Sequence, residues 1–383
     1  MKPRLVIITE IIAPYRVPVF NSLAAHGDVD LHVIFLAETD PKLRQWTIPK
    51  DEIRFPYQVL PSFRLPLGNL GLLVNHGLDG ALGQARPDAI ICGGYNYPSA
   101  WQAAFWARKR NIPFLLWTES NAADHRGRST LVEYLKRKFL GMCRGFVVPG
   151  EASKSYLQQL GLPAELIFKA PDAVDNELFM QGARIARANL ASVRRRIDLP
   201  ERYFLSVGRL IRAKGVLDLL EAYANLNEQI RAVVGLVFVG EGEAKREMIR
   251  RASLIRPGTV KFSGFVQKEQ LAEFYALADA LVFPTHSDPW GLVVNEAMAC
   301  SLPVIASNVP GCVSDLIEDG WNGFIVPVGD IRRICASMEL LAKGNDLRGQ
   351  MGERSLQRIQ EYSPEACAAG IAKAAFAACG DLS

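Results

Sequence analysis

The sequence has no long apolar run, no paired-cysteine motif, no large charge excess and no low-complexity tract. No stretch approaches the roughly 20 apolar residues of a membrane-spanning helix, so none is expected. The seven cysteines stand at 92, 143, 300, 312, 335, 367 and 379, none in a Cys-x-x-Cys pair. Several lie inside apolar runs, which reads as reduced core thiols of a cytosolic protein rather than a disulfide framework. With 44 basic and 40 acidic residues the net charge is +4, too small for a dedicated nucleic-acid binder. No repeat of fixed period is present. No His, Cys or Asp cluster has metal-ligand spacing, so no metal is expected. The apolar run Leu5–Ile8 is too short for a secretion signal, and Glu10 interrupts it; it reads as a first strand.

What is there is 383 residues of ordinary soluble composition, too many for one typical core and suited to two α/β domains. The most informative stretch runs from residue 284 to 311. Ala280–Phe283 reads as a strand buried on both faces, a polar loop with Asp288 follows, and a helical pattern begins at Gly291. Val304–Ala306 is a second buried strand, which makes one parallel crossover unit. Glu296 falls on the apolar face of that helix, beside Leu292, Val293, Ala299 and Cys300. A carboxylate there needs a hydrogen-bonding partner or it neutralises. The helix start at Gly291 and Leu292 offers backbone N–H groups and a positive dipole end, which suits a phosphate.

A second loop points the same way. Tyr203–Val207 is a buried strand, followed by Gly208-Arg209-Leu210-Ile211-Arg212-Ala213-Lys214-Gly215. Gly208 lets the backbone approach a bound group. An arginine can bind a diphosphate bidentately and a lysine supplies a point charge, so Arg209 and Lys214 are candidate phosphate contacts. A departing nucleoside diphosphate needs that neutralisation. The spacing is not that of a P-loop. Gly240-Glu241-Gly242 taken alone is weak evidence for anything.

The first half reads as a strand series with short edges. The loop after the first strand lacks glycine and carries Pro14 and Pro18, with Tyr15 and Arg16 at its tip; Arg16 is a candidate contact for an anionic acceptor. Gly93-Gly94-Tyr95-Asn96 forms a tight turn, with Asn96 a second acceptor-side candidate. Phe114–Trp117 is a strand, and Glu119 stands at its C-terminal edge, where open parallel sheets bind ligands. Asp124 and His125 follow, and His125 also reads as a solvated loop residue. Residues 126–144 interleave Arg128, Lys136, Arg137 and Lys138 with Leu131, Tyr134, Leu135, Phe139 and Leu140. At helical spacing this face suits an anionic membrane surface or plain solvation.

The stretch Asp288-Pro-Trp-Gly-Leu-Val-Val-Asn-Glu296-Ala-Met-Ala, with seven residues between its carboxylates, resembles the retaining GT-B glycosyltransferases of the family 4 type. The 208–215 loop, the turn Gly264-Phe265-Val266, the 167–175 segment and Asn322-Gly323-Phe324-Ile325-Val326 resemble the same family. The resemblance covers residues 203–330 most strongly. It implies two doubly wound Rossmann-like α/β domains facing across a cleft. An N-terminal domain at 1–178, a linker at 179–202, a nucleotide-sugar domain at 203–360 and a C-terminal helix at 361–383 crossing back to the first domain are expected.

The resemblance further implies metal-independent, retaining transfer of a hexosyl or N-acetylhexosaminyl group from a UDP- or GDP-linked sugar. The acceptor would be a glycan or lipid-linked hydroxyl in polysaccharide or lipopolysaccharide synthesis. The protein would be cytoplasmic or peripheral on the inner face of the membrane, with no cofactor beyond the donor. Glu296 would bond the ribose, Asp288 the transferred sugar, Arg209 and Lys214 the diphosphate, with Gly208, Gly291 and Leu292 beside the phosphates and Val266 near the base. Three departures stand out. Asp288 replaces the usual Glu and is shorter by a methylene, about 1.5 Å. Asp172 and Ala173 replace Asn-Gly. The edge Thr118-Glu119-Ser120 lacks the family's histidine, leaving Glu119 or His125 as its substitute. Two rivals remain open: a GT-B-fold epimerase, and a non-catalytic sugar-nucleotide-binding subunit of a glycan assembly complex.

Overall fold

The structure is a computed structural model that describes residues 2–40, 45–67, 70–123 and 130–380. The chain divides into two compact units, Met1–Ala173 with Pro364–Ser383, and Val174–Ser363. The strands of the first unit, in chain order, are β1 (Arg4–Thr9), β2 (Asp30–Phe35), β3 (Tyr57–Val59), β4 (Ser62–Leu67), β5 (Leu70–Asn75), β6 (Ala89–Gly93), β7 (Phe114–Trp117), β8 (Gly145–Val148) and β9 (Ile167–Lys169). Those of the second are β10 (Tyr203–Val207), β11 (Gly235–Val239), β12 (Val260–Phe262), β13 (Ala280–Phe283), β14 (Val304–Ser307) and β15 (Gly323–Val326).

The first unit holds a parallel sheet in the order β3-β2-β1-β6-β7-β8-β9, plus an antiparallel hairpin of β4 and β5. The second holds a parallel sheet in the order β12-β11-β10-β13-β14-β15. Strands such as Leu5–Ile8 and Ala280–Phe283 are buried on both faces because helices cover both sides of each sheet. Strand order runs outward in opposite directions from β1 and β6 in the first unit, and from β10 and β13 in the second. Open α/β sheets bind ligands beyond the strand ends at such reversals.

The helix Pro364–Gly380 belongs to the first unit. Cys367, Ala368, Ile371, Ala374 and Ala375 join Leu5, Ile7, Phe20 and Leu23 in its core. Gly370 is what permits the approach, since a Cβ there would sit 2.3 Å from the Lys169 carbonyl. All seven cysteines are free thiols, and burial pushes Cys92 up to about 12.

The segment 179–202, read from the sequence as a linker helix, falls inside the second compact unit. It forms the helices Asn176–Ala188 and Leu190–Ile197 inside the second unit, which begins at Val174. Phe179, Ala183, Ala186 and Val193 are buried. Gly182 lies so close to Ala272 that a Cβ on it would be 2.6 Å from the alanine Cβ. Apart from Phe179 and Val193 the packed face is glycine and alanine, which bury little area each and so leave a faint apolar pattern. His125 and Asp124, with Arg126 and Arg128, lie outside the described residues.

Candidate active site

The loops after β10 and β13 flank the strand-order reversal of the second unit, and the first is held on two sides. On one side the Gly208 N–H donates to the Val239 carbonyl (3.0 Å) and the Leu210 N–H to Glu241 (2.9 Å). That contact needs glycines opposite it. A Cβ on Gly240 would lie 1.9 Å from the Gly208 carbonyl, and one on Gly242 would lie 2.3 Å from that of Leu210. Gly208 and Gly240 have φ of 138° and 137°, which side-chain-bearing residues seldom adopt. The pair Gly240 and Gly242, uninformative by itself in the sequence, therefore seats the loop that carries Arg209 and Lys214.

On the other side the loop meets β13. Gly215 has φ 65°, and a Cβ there would be 2.0 Å from the Pro284 carbonyl. The His286 N–H donates to the Ala213 carbonyl at 2.9 Å, and the Thr285 hydroxyl lies 3.1 Å from the same oxygen. His286 pairs with Asp218 at 2.5 Å. With the two loops fixed together, Lys214 Nζ reaches Asp288 Oδ2 at 2.5 Å and the Ser287 carbonyl at 3.0 Å. Arg209 is exposed and has no ion pair among the described residues. The two cations of the loop thus differ: one is paired, one is open to a ligand.

Trp290 is buried and donates to Asn295 at 3.0 Å. It anchors the loop in the core directly after Asp288 and Pro289. Gly291, φ 106°, then turns the chain into the helix Leu292–Ala299, whose start no side chain caps. Leu292 is partly buried against the second unit's core, as is Val266 beyond β12.

Glu296 lies one and a half turns further along, partly buried. Its partner is Tyr275, whose hydroxyl donates to Oε2 at 2.7 Å. Among the described residues no cation reaches it. Burial pushes the Glu296 carboxyl up to about 7, a shift that the Tyr275 bond opposes. Tyr275, the partner of Glu296, is a candidate-site residue that sequence reasoning missed. The available signal was one tyrosine in the mostly apolar segment Leu271–Leu277, just before β13. Among the described residues no three His, Cys, Asp or Glu side chains converge as a metal site would require.

The family model for glycosyl transferases group 1 matches residues 191–358, and that for Glycosyltransferase Family 4 matches residues 20–178. The chain belongs to the GT-B glycosyltransferases of the group 1 and family 4 type.

A relative named for teichuronic acid biosynthesis, the glycosyltransferase TuaC of Bacillus subtilis, is 35% identical over 248 residues, 63% of this chain and 58% of that one. The N-acetyl-alpha-D-glucosaminyl L-malate synthase of Bacillus anthracis is 27% identical over 43% of this chain and 42% of its own. The chain thus spans about half the length of the curated relatives it matches. Among solved structures, Anabaena Alr3699/HepE in complex with UDP and glucose superposes with a TM-score of 0.72 at 18% identity, over 97% of this chain and 98% of that one. At that identity the likeness is one of fold.

In this GT-B family member the edge of the first unit is built otherwise. Arg16 does not stand at a loop tip, as expected for an acceptor contact; it opens the helix Arg16–His26 and points inward. Its guanidinium donates to Asp172 at 2.8 Å and to Glu119 at 2.6 Å, and lies 4.0 Å from the Trp117 ring centroid. Burial opposes its charge, but Asp172 and Glu119 outweigh burial and push its pKa up. Asp172 is itself buried and also contacts the Glu119 carboxyl. Glu119 keeps about a third of its side chain exposed. Two departures from the family pattern therefore explain each other, because the carboxylate at 172 is the buried counter-ion of Arg16. Tyr15 is half-buried, edge-on to Trp46 at 6.4 Å, and Asn96 is exposed beyond β6.

Proposed function

We propose that the protein is a retaining glycosyltransferase that moves a hexosyl or N-acetylhexosaminyl group from a nucleoside-diphosphate sugar to a hydroxyl of a glycan or lipid-linked acceptor. One observation carries this reading: Arg209, Lys214, Asp288 and the Gly291 helix start lie on two interlocked loops at one strand-order reversal, with Glu296 about one and a half helical turns behind. Positive groups and free helix-start amides suit a diphosphate. Glu296 accepts from ribose hydroxyls and Asp288 from hydroxyls of the transferred sugar, with Val266 beside the base. As the glycosidic bond breaks, charge grows on the departing β-phosphate, where Arg209 and Lys214 stabilise it. That phosphate takes the proton of the acceptor hydroxyl, which attacks from the same face and so retains the configuration. The solved Anabaena structure named with UDP makes uridine the first base to test.

Glu119, at the C-terminal edge of β7 with about a third of its side chain exposed, is the acceptor-side carboxylate of this reading. The helix Thr130–Leu140 adds a membrane-facing surface through exposed Val132, Tyr134 and Leu135 with Arg137 and Lys138. Lys136 does not take part, because it is buried against Tyr156.

The test is a thermal-shift panel of UDP, GDP, ADP and their sugar conjugates, with and without EDTA. One base should raise the melting temperature by mass action, EDTA should leave the shift in place, and Glu296→Ala should remove it. A panel without any shift would sink the donor-site assignment.

A further inference from the structure

We propose that the Lys214–Asp288 ion pair is a latch that makes the site prefer a sugar nucleotide over the sugar-free diphosphate left after transfer. This rests on the donor-site reading above. The pair is set by the main chain and not by chance contact of long side chains. Gly215 abuts the Pro284 carbonyl, and Ala213 is bonded to both Thr285 and His286. Lys214 and Asp288 are 18% and 19% exposed, so each has exchanged most of its water for the other. Parting such a pair leaves an uncompensated charge in a poorly solvated place.

Arg209 takes a phosphate without that cost, being exposed and unpaired among the described residues. Lys214 already donates to Asp288 and to the Ser287 carbonyl, which leaves one of its three N–H donors for a phosphate, and turning further toward the phosphates loosens its hold on Asp288. A sugar nucleotide compensates, since hydroxyls of its sugar donate to the released carboxylate. A free nucleoside diphosphate has no such donors and brings about one more negative charge beside Asp288. Once the sugar has been transferred, Asp288 recaptures Lys214 and the spent diphosphate loses half its grip. Asp288 thereby acts both in holding the sugar and in expelling the product.

The test is calorimetric titration of the wild-type protein, Asp288→Asn and Asp288→Glu with UDP, GDP and ADP and with their glucose and mannose conjugates. Asp288→Asn should bind the free diphosphate at least ten-fold tighter than wild type, about 1.4 kcal/mol. It should not gain for the conjugate, so the preference for conjugate over free diphosphate collapses. Asp288→Glu should retain the preference. Asp288→Ser gives the same reading should the Asn variant fail to fold. A neutral residue at 288 that binds free diphosphate no tighter than wild type overturns the latch and leaves the donor assignment intact. Wild-type protein that binds none of these nucleotides overturns both.

Discussion

The two units share one topology, yet their strand-order reversals are finished in opposite ways. At the edge of the second unit, glycines bring two loops into backbone contact, and among the described residues Arg209 is left open and Glu296 has only a neutral tyrosine for company. At the edge of the first, the loop after β1 has no glycine, and the one arginine nearby is held between two carboxylates and an indole ring. One edge keeps its charge unspent for a ligand. The other has spent it on holding β7, β9 and the helix Arg16–His26 together. The same side-chain chemistry therefore serves binding in one unit and cohesion in the other.

The sharpest way to break this contrast is to remove the arginine from each edge. Arg16→Ala strands the buried Asp172 without its counter-ion and should cost about 3–5 kcal/mol of stability, read as a lower denaturation midpoint. Arg209→Ala should change stability by no more than about 0.5 kcal/mol, yet lower turnover by about 10²–10³-fold. If both variants lose stability equally, the two arginines are not different in kind.

Glu296→Gln sharpens the comparison through pH. The folded-state carboxyl titrates near 7, above its ordinary 4.5, so between those values the folded protein holds a proton that the unfolded chain releases. Its contribution to stability is therefore complete below about 4.5 and lost as the pH rises through 7. The Gln variant should lack that decline and exceed wild type at pH 8 by up to about 3 kcal/mol, while nucleotide affinity falls. In wild type, donor affinity should climb as the pH passes 7, because only the ionised carboxylate accepts from both ribose hydroxyls. A flat stability difference between the two proteins from pH 5 to 8 would remove the argument.

The smallest effect concerns the surface of the first unit. Val132→Glu with Leu135→Glu should reduce co-sedimentation with phosphatidylglycerol vesicles several-fold and leave nucleotide binding unchanged. Equal sedimentation of variant and wild type would leave that helix face merely solvated.

What was legible in the sequence follows from how each feature is encoded. The strands around 203–330 are mostly apolar runs, two of them closed directly by Gly208 and Gly240, and the residues of the 208–215 and 284–296 loops were marked by type and position. That Lys214 and Asp288 meet was not visible, because the contact is made by folding across 74 residues. Arg16 was misplaced for the same reason, its partners lying 103 and 156 residues away. The segment read as a linker helix was obscure for a different reason. A helix packed through Gly182, Ala183 and Ala186 leaves Phe179 as its one large buried apolar residue to count, although its close approach to Ala272 binds it firmly.

The helix Pro364–Gly380 has a consequence for synthesis. The first unit is discontinuous in the chain, whereas the second is a single run. During translation Val174–Ser363 can finish as soon as it emerges. The earlier-made unit must wait, with the surface that will cover Cys367, Ile371 and Ala375 bare, until the whole of its neighbour has been synthesised. The half that starts first is completed last, so a chain that stops between residues 363 and 378 lacks part of the core at its opposite end.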